Sequence, residues 1–354
     1  MGNQDDQSGI ESKLISTRCL KLVESMTAAE MARLDHEQGL HYAPRDFVLT
    51  GLPYKRLPKE QHTHERHNGR FHFQVVGHPT YGIPYGQDRL IPFWLASAYQ
   101  AQGCPSNRTI VFRSAGDILR CYGMEPNGRT YTRLRERIER VFGATYFVRN
   151  RTLGCAPNRP LRSRFHGDDV IRAESYRIIQ SVQLCLNKNQ RTNQHTLWQN
   201  NITISAEFAR DVSESAIPVD IESVRALKTK PAVLDLYVWQ AWRSWRLSQT
   251  KTHSVKIPIR GESGLLSQLG TEAKEEWKAM QLLRSAQKCV QAIWRQCPNS
   301  IEGDTFVVRP GKAVRAGNLQ LPGVNNPPRG AGQLRLTTQA DEVGHALVLD
   351  QPTT

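Results

Sequence analysis

Five histidines between residues 62 and 78 are the first candidates for chemistry. Three of them fall within HTHERH, as His62, His64 and His67, and two more follow as His72 and His78. Histidines grouped in this way are typical of metal sites. Rolling-circle nickases pair two histidines around a bulky apolar residue on a strand, whereas Thr63 lies between polar neighbours here. We expect a loop of solvated histidines without a metal, and a nickase is the less favoured alternative.

Other common catalytic motifs are absent from the sequence. No G-x-x-x-x-G-K-[ST] motif occurs, and RPGK at 309–312 lacks the upstream glycine of a phosphate-binding loop. The seven cysteines are scattered, and none forms a C-x-x-C pair. We therefore expect no cofactor and no catalytic residue, so the protein is not expected to be an enzyme.

A cluster of arginines suggests binding to nucleic acid. The segment GRTYTRLRERIERVFGATYFVRNR starts at Gly128. Its apolar residues recur at helical spacing and predict an amphipathic helix: Tyr131, Leu134, Ile138, Val141 and Phe142. The candidate DNA-binding residues lie on another face of this helix and on the strand after it: Arg129, Arg133, Arg137, Arg140, Arg149 and Arg151. Two Arg/Glu pairs four residues apart make a merely solvated helix face an equally weighted alternative.

The elements around this helix predict a DNA-binding module. A buried helix in RLIPFWLASAYQ, a strand in NRTIVFR and a short helix in SAGDILRCYGM come before it, and a basic hairpin is expected after it. Helix, strand, helix, turn, helix and hairpin form a helix-turn-helix with a wing, whose second helix enters the major groove.

The same order of elements recurs further along the chain. KPAVLDLYVWQAWRSWRL predicts an apolar helix, HSVKIPI a strand, GESGLLSQLG a short helix, and SIEGDTFVVRP a closing hairpin. A long helix is expected between them, from Thr271 as its N-cap to about Gln296. Its candidate DNA-binding residues are Lys274, Lys278, Gln281, Arg284 and Lys288.

Composition agrees with a DNA-binding protein. The chain has 354 residues, a formal net charge of +14 and a pI near 9.7, as expected of a protein that binds nucleic acid. It has no apolar run long enough for a membrane span, and its polar N-terminus is unlike a secretory signal. We expect a cytoplasmic protein that binds double-stranded DNA and not a membrane.

The predicted fold class is α+β, mainly helical, with two tandem winged-helix domains. The expected boundaries are 1–70 for an N-terminal helical arm that packs on the body or on a second subunit, 71–200 for the first domain with its wing and linker, 201–310 for the second domain, and 311–354 for a flexible C-terminal tail rich in Gly, Pro and Asn.

Several of these segments together resemble the plasmid-encoded RepA replication initiators. They are YGIPYGQDRLIPFWLASAYQ, GRTYTRLRERIERVF, ISAEFARDV, IPVDIESVRALKTKPAVLDLYVWQAWR and LLSQLG, which span roughly residues 71–310. The resemblance implies a bacterial tandem winged-helix protein that binds direct repeats, or iterons, at a plasmid origin of replication. It also implies opening of adjacent A·T-rich DNA, recruitment of the host initiator DnaA and the replicative helicase, and repression of the protein's own gene.

Some alternatives remain open at the level of sequence. A winged-helix transcriptional repressor is the runner-up, and the chemistry of the sequence hardly separates it from an initiator. The choice between a monomer and a homodimer as the active form is also left open.

Overall fold

The protein is a mixed α and β structure. A computed structural model describes residues 39–68, 71–152, 170–184, 200–261, 264–270, 275–314 and 321–324. Residues 1–38 of the predicted N-terminal helical arm lie outside these ranges. No helix in the described ranges is long and apolar enough to cross a membrane.

The N-terminal part of the described chain contributes mainly strands. It runs through β1 (Leu40–Ala43), α1 (Arg45–Thr50), β2 (Thr63–Asn68) and β3 (Phe71–Val76). The prediction of a helical arm over 1–70 is therefore wrong for residues 40–43 and 63–68. The reason is tertiary, because β1 pairs with a strand far along the chain and β2 pairs with β3.

The helices and the strand predicted for the first module are present, and four further strands follow them. A short 3-10 helix (Gly86–Arg89) leads into α2 (Leu90–Ala101), and β4 (Thr109–Phe112), α3 (Ala115–Cys121) and α4 (Gly128–Gly143) follow. Next come β5 (Thr145–Thr152), β6 (Val170–Tyr176), β7 (Ile179–Gln183) and β8 (Asn200–Ile204). Helix α2 is buried along almost its whole length, as its apolar sequence predicts.

The hairpin directly after α4 does not join the sheet of its module. Strands β5 and β6 lie in a four-stranded sheet of order β2-β3-β5-β6, whereas β4 belongs to a sheet of order β4-β8-β7. The expectation that the hairpin beginning with ATYFVRNR completes the first module is therefore wrong. Buried Tyr146 of β5 packs against Phe73 of β3. The periodicity of the sequence predicts that β5 is a strand, but it does not predict that its partner is β3.

The second module follows the order predicted from the sequence. After α5 (Ala206–Ser215), β9 (Ile217–Asp220) and α6 (Ile221–Leu227) come α7 (Pro231–Ser248), β10 (Val255–Pro258), α8 (Leu265–Leu269), α9 (Glu276–Ile293), β11 (Ser300–Glu302) and β12 (Thr305–Val308). The three strands form a sheet of order β10-β12-β11. Helix α9 begins later than predicted, with Glu275 at its N-cap, and residues 271–274 lie outside the described ranges.

Part of the predicted flexible tail packs on the first module. Val324 forms an antiparallel bridge with Phe112 of β4, and the Arg113 amide donates a 2.9 Å hydrogen bond to the carbonyl of Gly323. Leu321 and Val324 are both buried. The prediction of a tail without fixed structure is therefore wrong for residues 321–324, because two apolar side chains find a place in the core.

Candidate nucleic-acid interface

Helix α4 is fixed by its cap and by one apolar stripe. The Asn127 side chain accepts a 3.0 Å hydrogen bond from the Thr130 amide, and the Thr130 hydroxyl accepts a 2.9 Å bond from the Asn127 amide. This reciprocal pair satisfies amides that a helix start leaves free. The stripe predicted from the sequence packs inward, with Leu134, Ile138 and Val141 buried. The opposite face is thereby directed to solvent.

Only part of the predicted arginine row lies on that solvent face. Arg129 and Arg133 are exposed, and among the described residues neither forms an ion pair. Arg135, which is also exposed, pairs with Glu139 at 3.0 Å. The positive charge that α4 offers to a partner is therefore concentrated in its first two turns.

Arg137 and Arg140 do not belong to this exposed row. Arg140 makes two hydrogen bonds to the Asp88 carboxylate, at 2.6 and 3.0 Å, and its side chain is only 15% exposed. Arg137 donates to Gln87 and lies 3.8 Å from Asp88. Asp88 is buried and would be an uncompensated charge without these partners. The sequence interpretation of four outward arginines is wrong for these two, which hold α4 against the 3-10 helix.

The turn between α3 and α4 is held by a lysine at the C-cap of α6, about 100 residues later in the chain. The Lys228 ammonium donates hydrogen bonds of 2.8 and 2.9 Å to the carbonyls of Tyr122 and Gly123. Arg225 donates a 2.8 Å bond to the Cys121 carbonyl. These cations satisfy carbonyls that the end of α3 leaves free. Lys228 belongs to the LKTK part of the sequence, so one basic residue of that motif has a structural role.

Helix α9 is positioned by a buried polar network. The Gln240 amide of α7 donates to Gln287 of α9 at 2.9 Å, and Asn299 donates to Gln240 at 3.1 Å and to Ser244 at 3.0 Å. The Gln287 amide in turn donates to the Asn299 carbonyl at 3.1 Å. All four side chains are buried. Because a buried amide is costly to leave unpaired, this network fixes the rotation of α9 about its axis.

The opposite side of α9 carries the predicted DNA-binding residues. Its exposed polar residues include Lys278, Gln281, Arg284 and Lys288. The structure thus brings four predicted residues to one solvent-facing side of a single helix. Lys274 lies outside the described residues.

Two further predicted residues lie on β5, which belongs to the four-stranded sheet β2-β3-β5-β6 and not to the sheet of the first module. Arg149 is exposed there, opposite His72 of β3. The backbone of Arg151 continues the same strand, opposite Ile171 of β6, and its side chain is outside the described part. These two arginines therefore lie on a different element, in a different sheet, from the α4 arginines with which the sequence analysis grouped them.

One exposed aromatic residue was missed by the sequence reasoning. Trp277, in the first turn of α9, is 65% exposed. It lies four residues before Gln281, and a tryptophan on the polar side of an otherwise amphipathic helix is the signal that could have identified it.

The segment HTHERH is a strand and not the loop that was predicted. Residues 63–68 form β2, paired with β3 in the register His67 to His72. His64 is partly buried and accepts a 3.2 Å hydrogen bond from Arg66 Nε, and burial together with this cation lowers the pKa of His64 to about 4. Polar residues form a strand here because β3 supplies a partner with buried Phe73 and Val75. His64 is therefore neutral at physiological pH.

The two modules are joined by a buried ion pair. The guanidinium of Arg89, the last residue of the 3-10 helix, lies 2.9 Å from Asp235 of α7, and both side chains are less than 10% exposed. Arg89 also donates to the carbonyls of Gly86 at 2.6 Å and Leu52 at 2.9 Å. Burial raises the pKa of Asp235, and the positive charge of Arg89 opposes that shift. The pair fixes α7 against the segment that precedes α2.

The chain therefore has two similar helix pairs, α3 with α4 and α8 with α9. The module of each pair has a three-stranded sheet, and the second helix of each pair carries exposed basic residues. Residues 112–257 match the family model described as "Plasmid encoded RepA protein". The match confirms the resemblance to plasmid-encoded RepA proteins that the sequence indicated, over the stretch from the end of β4 to β10.

Two solved structures of RctB have a distant likeness to this chain. A crystal structure of domain 2 and domain 3 of RctB has 11% sequence identity and a TM-score of 0.44, and the likeness covers 70% of this chain and 85% of that one. A second crystal structure of RctB domains 2-3 has 12% identity and a TM-score of 0.39, with 73% and 84% covered. No curated protein sequence matches the chain.

Proposed function

We propose that each module is a winged helix. In such a module the strand between the first two helices pairs with the second strand of a closing hairpin, and the second helix of the helix-turn-helix reads DNA. The strand orders β4-β8-β7 and β10-β12-β11 support this proposal, because in both sheets the hairpin's second strand lies in the middle. The wing of the first module is then β7 and β8, with β5 and β6 as an insertion.

We propose that the two modules bind double-stranded DNA. The formal charge of +14 and the exposed basic residues of α4 and α9 support this role. Helix α9 offers Gln281 for paired hydrogen bonds to adenine and lysines for guanine, whereas the α4 arginines suit phosphates. We therefore assign base reading to the second module and anchoring to the first.

The function best supported is that of a plasmid replication initiator. The observation that carries this proposal is the match of residues 112–257 to plasmid-encoded RepA proteins. The protein would bind direct repeats at the plasmid origin, promote opening of nearby A·T-rich DNA, and recruit host replication proteins including DnaA and the helicase. Repression of its own gene is part of the same proposal, and the site of action would be plasmid DNA in the cytoplasm.

The experiment that tests this function is footprinting on DNA from around the protein's own gene. An initiator should protect an array of direct repeats, and permanganate should then detect unpaired thymines in an adjacent A·T-rich tract. Protection of a single inverted repeat without permanganate reactivity would instead identify a transcriptional repressor.

We propose that the protein acts by binding and not by catalysis. The hydrogen bond that His64 Nε2 accepts from Arg66 supports this assignment, because it occupies the lone pair that would bind a metal ion. Incubation of a supercoiled origin plasmid with Mg²⁺ or Mn²⁺ should leave the plasmid intact. Nicking by the wild type that is lost in the His62→Ala, His64→Ala double variant would contradict the proposal and favour a nickase.

A further inference from the structure

The exposed ring of Trp277 has no role in the DNA contacts proposed so far. At 65% exposure, it is more exposed than Leu282, Phe147 or Tyr81, the other large apolar side chains that the structure describes as exposed. Keeping an aromatic ring in water forgoes a large hydrophobic contribution to stability. A ring at this position is therefore a candidate for contact with a partner.

The neighbours of Trp277 on the helix indicate the chemistry of that partner. With 3.6 residues per turn, Trp277, Gln281, Arg284 and Lys288 fall within an arc of about 60° on α9. Leu282, 55% exposed, lies about 140° away from Trp277 around the helix axis, so the two do not form one apolar patch. An isolated ring in line with two cations and an amide fits a polyanion with apolar groups on its surface better than it fits an apolar protein groove.

We propose that Trp277 contacts the 5-methyl group of thymine in the major groove, and so makes an A·T base pair part of the recognised site. The inference rests on the proposed function, in which α9 enters that groove. Thymine is the one base that presents a methyl group there, and apolar side chains recognise it by contact. Trp277 and Gln281 are separated by about 6 Å along the helix axis. A helix lying along the groove then places the methyl contact about two base pairs from the adenine that Gln281 reads, at 3.4 Å per base pair.

Replacement of thymine by uracil tests this contact, because it removes the methyl group and leaves base pairing unchanged. A duplex is first selected by the full-length protein from a random-sequence library, and is then resynthesised with deoxyuridine at each thymidine in turn. Loss of one buried methyl contact should weaken wild-type binding about fourfold at one or two positions. Trp277→Ala should bind the all-thymine duplex correspondingly more weakly and should show no further loss at those same positions.

Matched variants distinguish this contact from other effects. Leu282→Ala, on another side of α9, should keep the wild-type response to uracil, and Trp277→Phe should retain part of it. An equal uracil effect in wild type and Trp277→Ala would overturn the proposal, as would no uracil effect at any position in the wild type. Altered self-association of Trp277→Ala with an unchanged uracil response would assign the ring to a protein contact. If the full chain selects no duplex, the proposed function fails and this inference fails with it.

Discussion

Arg133 and Arg140 lie on one helix but differ in what surrounds them. Arg133 is exposed, whereas Arg140 is bound to the buried Asp88 carboxylate. An exposed cation contributes to binding of DNA by releasing counterions, and a cation paired with a buried carboxylate contributes to folding. Alanine at position 133 should therefore affect DNA binding and not stability, whereas alanine at position 140 should affect stability.

Arg133→Ala should flatten the slope of log K against log salt by about one unit and leave the free energy of unfolding unchanged. Arg140→Ala should lower the free energy of unfolding by about 3 kcal/mol, because it removes the main partner of a buried charge. Salt-dependent DNA titration and urea unfolding measure the two effects. An unchanged salt slope for Arg133→Ala would mean that this face is merely solvated.

A buried carboxyl pair makes stability depend on pH. Asp211 of α5 has a side chain that is 10% exposed, and among the described residues neither of its carboxylate oxygens has a hydrogen-bond partner. Burial, and then the negative charge of Asp46, raise the pKa of Asp211 well above its usual range, and Arg45 at 3.8 Å opposes the shift. The folded state thus favours the protonated acid.

The sign of the pH effect follows from this raised pKa. The unfolded chain ionises Asp211 near pH 4, so the stabilising contribution is complete below that pH and is lost as the pH rises toward the folded pKa. Asp211→Asn should therefore remove much of the decline in unfolding free energy above pH 5 and should be more stable than wild type at pH 8. Glu60→Gln, at an exposed position in the loop before β2 and not among the charges that act on Asp211, is the control and should keep the wild-type profile. Wild-type stability that does not fall between pH 5 and 8 would contradict this account.

At the scale of elements, local patterns predicted more than long-range pairings did. The apolar stripe of α4 and the bounds of α7 and α8 follow from helical periodicity and from Gly270, which adopts a left-handed φ of 60°. The positions of Arg137 and Arg140 could not be predicted in this way, because their partner Asp88 is about 50 residues earlier in the chain. The sheet to which β5 belongs depends on β2 and β3 for the same reason.

Base reading by α9 predicts a change in specificity rather than in overall affinity. Lys278→Ala and Gln281→Ala should each cost about 1 to 3 kcal/mol on the preferred duplex and much less on random DNA. Arg133→Ala, which removes a proposed phosphate contact, should weaken binding to both alike. The measurement is the ratio of specific to nonspecific affinity at fixed salt. If Arg133→Ala collapses this ratio while the α9 variants keep it, the two modules have the reverse roles.

The docked segment at residues 321–324 depends on a glycine. Gly323 has a φ of +71°, and a side chain there would overlap the Asp117 carboxylate, which Arg113 holds at 3.0 Å. Gly303, in the turn between β11 and β12, has a φ of +59° and open space around it. Alanine at either position costs about 1 to 2 kcal/mol of backbone strain. Only alanine at 323 adds the overlap.

Gly323→Ala should therefore release the segment from β4, whereas Gly303→Ala should not. Hydrogen exchange of the Arg113 amide, which bonds to the Gly323 carbonyl, reports this release directly. We expect fast exchange at Arg113 in Gly323→Ala and wild-type protection in Gly303→Ala. Equal protection in both variants would show that the segment accommodates a side chain at 323.

At the scale of the whole molecule, the Arg89–Asp235 pair is a buried charge contact between the modules. Removal of one partner leaves the other charge buried, which typically costs about 3 to 5 kcal/mol. Arg89→Met and Asp235→Leu should each lower the free energy of unfolding by such an amount. The double variant should be much more stable than the sum of the two losses predicts, because it leaves no unpaired charge. Additive losses in urea unfolding would indicate that the pair contributes little.

The bridge between Phe112 and Val324 also affects how the protein is made. Strand β4 is at the edge of its sheet, and in the described part of the chain the residue that bridges this edge, Val324, is translated more than 200 positions later. A nascent chain that has emerged only as far as β12 exposes this edge, and free strand edges are templates for association with other chains. Synthesis therefore leaves the first module incomplete until the ribosome has released residue 324. On a polysome, several nascent chains with an exposed β4 edge would lie close together. The rate at which the last segment is translated sets how long each edge stays exposed.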